Sequence, residues 1–374
     1  MTTARQDSVE TSVDKSTATR DPIPGGGRAA TLQGPHPPSL FPVLPYRGLS
    51  LGGAEFGAST GGTFDGNTIG RIPSEYYYAD TLVANDGNYP NGYSKMAYPY
   101  YLSKGMNTFR LPFRWERLQR TLNSSFDGHE LAALQATVTD MIAAGAVVIL
   151  DAHNYARYAS AAEISSGKLA DTIGSPAVPN SAFADFWKRL ATLYANNVHV
   201  VFDLMNEPVG LKTPQIWPDA AQAAVLAIRG TGAKNLILIE GNEWADAKNW
   251  PHLSDSLKNV ADPAKNIAFE AHAYPDDSGG GGSDTCTDVN RAVYQLEPFT
   301  AWLRLHHARG FLGEFSAGTS IHADPKCLTA VDNELKHVAA NADVYIGWAY
   351  WAGGSGFGTD NPMESGVVSG KDSP

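Results

Sequence analysis

Residues 200–208 read VVFDLMNEP, a short apolar, β-branched run that meets an acid at Asp203 and closes on Asn206, Glu207 and Pro208. A run this short, stopped by a proline, reads as a buried strand with its polar residues at the C-terminal end. Seven further runs share the design: YRGLSLGG from 46, MNTFRLPF from 106, AVVILDAHNY from 146, NLILIEGN from 235, IAFEAHAY from 267, GFLGEFSAG from 310 and VYIGWAYWAGG from 344. Between them lie helical segments such as HELAALQATVTDMIAAG (129–145) and NSAFADFWKRLATLYANN (180–197), apolar at three- and four-residue steps. Near-continuous apolar strands need helices over their outer face, so eight such units predict an α/β fold, a closed (β/α)8 TIM barrel. An open doubly wound sheet is the competing architecture. It would call for a Gly-x-Gly-x-x-Gly turn after a strand, which no run has.

The chain has 374 residues, 43% hydrophobic and 18% charged, enough apolar material for a large core. Residues 1–40, rich in Thr, Ser, Pro, Gly and charge without a hydrophobic period, read as a disordered leader or linker, and 41–374 as one barrel domain. The net charge is −11, from 28 basic and 39 acidic side chains, with no Lys/Arg run to follow a phosphate backbone. Nucleic acid is therefore not an expected partner. No apolar stretch is long enough for a membrane span, and the N-terminus lacks a signal-peptide pattern. Cys286 and Cys327 are the two cysteines. They are too few for a four-Cys zinc site and too far apart for a C-x-x-C motif, which leaves a disulfide or two buried thiols. Their placement in the loops after strands six and seven, neighbours in a barrel, favours the disulfide.

Two long loops are expected to wall a site at the C-terminal face: 53–92 after the first strand, and DDSGGGGSDTC (276–286) after the sixth. Glu207 ends strand four and Glu314 ends strand seven, so both carboxylates sit on that face. A single rim glutamate is ordinarily solvated or salt-bridged. A pair suits glycosidic bond cleavage, where a protonated carboxyl releases the leaving oxygen and an ionised one attacks or activates water. Arg110, His153, Asn154, His272, Tyr274 and Trp351 share the rim.

Taken in order, RLPFRW (110–115), DAHNYARY (151–158), MNEP (205–208), GNEW (241–244), HAY (272–274), GEF (313–315) and Trp351 resemble the motifs of glycoside hydrolase family 5 cellulases, especially the fungal-type endo-β-1,4-glucanases. The resemblance spans nearly all of residues 46–360. It implies a retaining cellulase with Glu207 as acid/base and Glu314 as nucleophile. Asn206 would hold the sugar 2-hydroxyl, Tyr274 would donate to Glu314, His272 would tune Glu207, and Arg110 would lower the pKa of the nucleophile. His153 and Trp351 would line one subsite and Trp244 another, with Asn154 beside them. The substrate implied is a β-glucan polysaccharide, with no metal, no cofactor and a secreted, monomeric enzyme. The GEFSAG motif departs from the Thr-Glu beside glycines of many fungal relatives. A mannanase or xyloglucanase on the same barrel, a metal hydrolase using Asp151, His153 and His272, and a non-catalytic polysaccharide-binding barrel stand as the alternatives.

Overall fold

The structure, a computed structural model, describes residues 43–52, 54–55, 97–160, 163, 170–195, 197–317, 324–353, 367–368 and 371–372. The expected leader 1–40 lies outside these residues, as does the 53–92 loop apart from Ala54 and Glu55. The eight anticipated runs are the eight barrel strands: β1 (Tyr46–Leu51), β2 (Thr108–Phe113), β3 (Val147–Ala152), β4 (Val200–Asp203), β5 (Ile237–Glu240), β6 (Ile267–His272), β7 (Gly310–Glu314) and β8 (Tyr345–Gly353). All pairings around the barrel are parallel, and β1 pairs with both β2 and β8, which closes it. Closure needs close backbone approach at this seam. A Cβ on Gly48 would stand 1.5 Å from the Thr108 carbonyl oxygen, so the position admits only glycine.

The main helices are α1 (Ala97–Ser103), α2 (Gly128–Ala143), α3 (Asn180–Tyr194), α4 (Ile216–Arg229), α5 (Arg291–Leu305) and α6 (Lys326–Ala340). α2 starts where Asp127 accepts from the backbone N–H groups of His129 and Glu130, both at 3.0 Å. Its Leu134, Val138 and Met141, at helical spacing, are buried in the core shared by helices and sheet. Two buried tryptophans tie helix to strand by more than packing. Trp187 of α3 donates its indole N–H to the Leu204 carbonyl at 3.0 Å, and Trp217 of α4 donates to the Glu240 carbonyl at 2.6 Å. These bonds fix the C-terminal ends of β4 and β5. No described helix is long and apolar enough to cross a membrane.

Inside the barrel, side-chain alternation builds two layers of opposite character. Ile149, Val201, Leu238, Ala268, Phe311 and Ala349 form the lower, apolar one. Two residues further along β3, β4, β5 and β6 stand Asp151, Asp203, Glu240 and Glu270, all fully buried. Cys286 and Cys327 form the disulfide, with Cα atoms 5.1 Å apart. Cys327 lies in the first turn of α6 rather than in a loop, because the helix begins immediately after Pro325. In the chain-entropy view, closing a 41-residue separation contributes about 4 kcal/mol. The bond also anchors the 276–286 loop.

Glu334 of α6 is fully buried, and neither of its carboxyl oxygens has a hydrogen-bond partner among the described residues. Burial alone holds this carboxyl well above the usual range. An unfolded glutamate ionises near ~4.3, so the fold carries an extra proton and loses stability as pH rises above that value. Glu334→Gln is therefore expected to raise the melting temperature at pH ~7 relative to wild type, with the gain vanishing below pH ~4. Melting curves across that range would check it; a wild type of equal or greater stability at neutral pH would count against it.

Candidate active site

The C-terminal ends of the strands open into a cleft of about 630 Å³ lined by Glu207, Glu314, His153, Tyr155, His272, Tyr274, Trp244 and Trp351, among others. Glu207 follows β4 with a backbone φ of +46°, a left-handed conformation that side-chain-bearing residues rarely adopt. Such a conformation costs on the order of 1–3 kcal/mol and persists only where neighbours hold it. Here the Glu207 N–H donates to Glu240 Oε2 at 2.6 Å. The turn aims the Glu207 carboxyl across the cleft toward Glu314 at the end of β7. One oxygen of each carboxyl and a nitrogen of His272 all lie within 4.8 Å of one another. His272 sits between them, its Nδ1 2.8 Å from Glu207 Oε1 and 3.6 Å from Glu314 Oε2.

Under the two glutamates, Arg110 of β2 is completely buried and faces five carboxylates. Its guanidinium reaches Glu314 Oε1 (2.7 Å), Glu240 Oε1 (2.7 Å), Asp203 Oδ2 (2.8 Å), Asp151 Oδ2 (3.1 Å) and Glu270 Oε1 (3.5 Å). It also donates to Asn206 Oδ1 at 2.9 Å. Gly313 makes room for this layer: a Cβ there would lie 1.7 Å from Glu270 Oε1. Burial and the field of the surrounding acids act together on the layer. Burial first, and mutual repulsion after it, hold Asp151 and Asp203 well above the usual carboxylate range despite Arg110. Burial, and the charge of Asp203 after it, push Glu240 up as well, against the pull of His272 and Arg110.

The two cleft glutamates are driven apart. Burial raises the Glu207 carboxyl and the nearby Glu314 charge raises it further, against the lowering hydrogen bond from His272. For Glu314 burial also raises, but the charges of His272 and Arg110 and the hydrogen bond from Tyr274 outweigh it, and its pKa falls below the usual value. Tyr274 Oη donates to Glu314 Oε2 at 2.7 Å. His272 itself is held protonated: burial would lower it, but Glu240, Glu314 and Glu207 raise it well above the ordinary histidine value. His153 goes the other way, since burial and then the Arg110 and Arg114 charges outweigh the pull of Glu314. Its imidazole is thereby held well below the ordinary histidine value, with Nδ1 2.8 Å from Asp151 Oδ2. Its ring stacks on Trp351 at 5.3 Å and 14°.

Of the residues anticipated from sequence, Glu207, Glu314, His153, His272, Tyr274, Trp351 and Trp244 meet at the cleft wall. Arg110 and Asn206 lie one layer below, fully buried. Asn154 is not on the wall. Its Oδ1 accepts from the Trp115 N–H (2.7 Å) and its amide donates to Glu116 (2.5 Å), so it braces the turn after β2 instead of meeting a ligand. Asp151, His153 and His272 do not form the metal triad weighed above; His153 and His272 point their Nδ1 atoms at separate carboxylates, Asp151 and Glu207. Sequence reading missed Asp203, Glu240, Glu270 and Tyr155. An acid inside each of VVFD, LILIE and IAFE was the available signal, because a charge within a buried strand must be paired.

Comparison with known proteins places this arrangement in context. The sequence profile of the cellulase family, glycosyl hydrolase family 5, matches residues 88–354. Endo-β-1,4-glucanase B of Aspergillus niger is 32% identical over 317 residues, covering 84% of this chain and 83% of its own. Among solved structures, XacCel5A in complex with cellopentaose superposes with a TM-score of 0.74 at 37% identity, covering 88% of this chain and 96% of its own. The endo-β-1,4-glucanase Xac0029 of Xanthomonas axonopodis pv. citri does so with a TM-score of 0.74 at 36% identity, covering 88% and 95%.

Removing the one guanidinium strands several buried acids at once, a change that costs about 3–5 kcal/mol for a single buried pair. Arg110→Met is expected to lower unfolding free energy by at least ~3 kcal/mol, read by urea denaturation. A loss under ~1 kcal/mol would mean the acids have other compensation.

Proposed function

Because the chain belongs to glycosyl hydrolase family 5, the cellulase family, we propose that Glu207 is the acid/base and Glu314 the nucleophile of its retaining hydrolysis. The enzyme is an endo-β-1,4-glucanase that cleaves internal β-1,4-glucosidic bonds. The observation that carries the assignment is the close approach of the two carboxyls, within 4.8 Å oxygen to oxygen. Retaining glycosidases hold their carboxyls about 5 Å apart, whereas inverting ones leave about 6.5–9.5 Å for a water.

The chemistry follows from the two opposed pKa shifts. Glu314, ionised and fixed by Arg110 and Tyr274, attacks the anomeric carbon. Glu207 accepts from His272 at Oε1, which leaves Oε2 to carry the proton given to the departing oxygen. In the second step Glu207, now a carboxylate, takes a proton from water as that water displaces Glu314 from the sugar. Asn206 supports the same reading: its Oδ1 is fixed by Arg110, and its Nδ2 is a buried donor with no partner among the described residues. A sugar 2-hydroxyl would satisfy it with a bond that strengthens toward the oxocarbenium-like transition state. The paired rings of Trp351 and His153 offer a wall for one pyranose, and Trp244, edge-on to Tyr155 at 5.8 Å and half exposed, offers another. A polymeric substrate and a disulfide both fit work outside the cell.

Glu207→Ala and Glu314→Ala are each expected to lose about 10²–10⁴-fold or more of the activity on carboxymethyl cellulose. Azide should rescue Glu314→Ala to the α-glycosyl azide and Glu207→Ala to the β-azide, seen by NMR. Wild-type activity in either variant, or a swapped anomer, would reverse or remove the assignment, and stronger turnover of mannan or xyloglucan would redirect the substrate.

The pH profile of kcat/KM should be a bell whose acid limb lies below the ordinary glutamate value and whose alkaline limb lies above it. Tyr274→Phe removes a bond that favours ionised Glu314, so its acid limb should move to higher pH while the alkaline limb stays. An unmoved acid limb would show that the phenol does not hold the nucleophile.

A further inference from the structure

The cleft accounts for the upper faces of Glu207 and His272 but not for what holds them from below. Glu240, the last residue of β5, is fully buried and meets three parts of the machinery with one carboxyl. Oε2 accepts the backbone N–H of Glu207 at 2.6 Å. Oε1 accepts from Arg110 Nη2 at 2.7 Å and lies 3.5 Å from His272 Nε2. Its main chain is fixed as well, since the Glu240 carbonyl accepts from the Trp217 indole. Both side-chain oxygens therefore face donors, and one of those donors is the peptide whose left-handed φ sets the direction of the Glu207 side chain.

We propose that Glu240 is a positioning residue for the acid/base: it locks the Glu207 backbone turn, and through His272 the orientation of the Glu207 carboxyl, without touching substrate. The inference rests on Glu207 being the acid/base. Glutamine has one acceptor where Glu240 uses two, so Glu240→Gln must set an NH2 group against either the Glu207 N–H or Arg110. The expected defect is in proton delivery to the leaving oxygen, because Glu314 on β7 keeps its own bonds from Arg110 Nη1 and Tyr274.

Leaving-group dependence separates these. Expulsion of dinitrophenolate needs no protonation, while expulsion of phenolate does. For Glu240→Gln, kcat/KM on phenyl β-cellobioside should fall about 10–100-fold, and on dinitrophenyl β-cellobioside less than about 3-fold. The dinitrophenyl rate also reports that the variant is folded and its nucleophile intact. Glu240→Asp, with two acceptors on a shorter arm, should show the same bias to a smaller extent. Equal losses on both substrates, no loss on either, or unfolding of both variants would overturn the proposal and leave Glu240 with a role in the fold alone. Glu207→Ala on the same pair is the control. If it shows no leaving-group bias, the acid/base assignment fails; if it shows the bias and Glu240→Gln does not, the positioning role alone falls.

Discussion

Everything above the apolar plug of the barrel is organised by one buried guanidinium. Arg110 cannot shed its charge, and its planar fork presents several N–H donors in fixed directions. Five strands answer it with carboxylates: β3, β4, β5, β6 and β7 each contribute one. A lysine would deliver the same charge from a point and could not orient Asn206, Glu240 and Glu314 at once. The guanidinium thus acts as a template, converting the spacing of barrel strands into the placement of the groups that face the cleft.

The template alone does not make two glutamates chemically different. Glu314 is buried and Glu207 partly so, and loss of water pushes both toward the protonated form. What separates them is which cations each one meets. Glu314 touches Arg110 directly and receives the Tyr274 hydroxyl, while Glu207 has the partial help of His272 and suffers the charge of Glu314. His272 is the shared element, and its own charge depends on the acids beneath it, Glu240 above all. One residue of each kind, a carboxyl that keeps its proton and a carboxylate that does not, follows from this asymmetry.

The barrel was legible in the sequence because each strand is a short apolar run ending in polar residues, and eight of them recur with helices between. The cleft was legible for the same reason: residues at strand ends share a face, so Glu207, Glu314, His272, Tyr274 and Trp351 could be brought together from their positions alone. Asn154 shows where that reasoning stops. It follows β3 as the rim residues do, but the chain turns there and its amide meets the turn after β2, a long-range contact with no local signature. Asp203, Glu240 and Glu270 escaped for another reason. Their position inside the strand marked them as buried, but which cation they surround is set by the barrel's closure, not by anything near them in sequence.

The buried charged layer makes no sense as a stabilising device. Desolvating so many acids around one arginine costs more than their attraction returns, and replacing buried ionic groups by well-packed apolar ones is often neutral or stabilising by about 1–4 kcal/mol. Stability comes instead from the shell outside, where Phe183, Phe186, Trp187 and Trp217 pack between helices and strands, and truncation of such a ring costs about 3–5 kcal/mol. The two requirements are kept apart by the pleat itself. Along β3, Val148 and Leu150 face the helices while Ile149 and Asp151 face inward, so the outer shell can be optimised for packing without moving the inner layer. A one-residue slip in any of these strands would send its carboxylate into the apolar shell and an aliphatic side chain toward Arg110, losing fold and site together. The energetic penalty of the slip is what specifies the register, and the register is what aims Glu207 at Glu314.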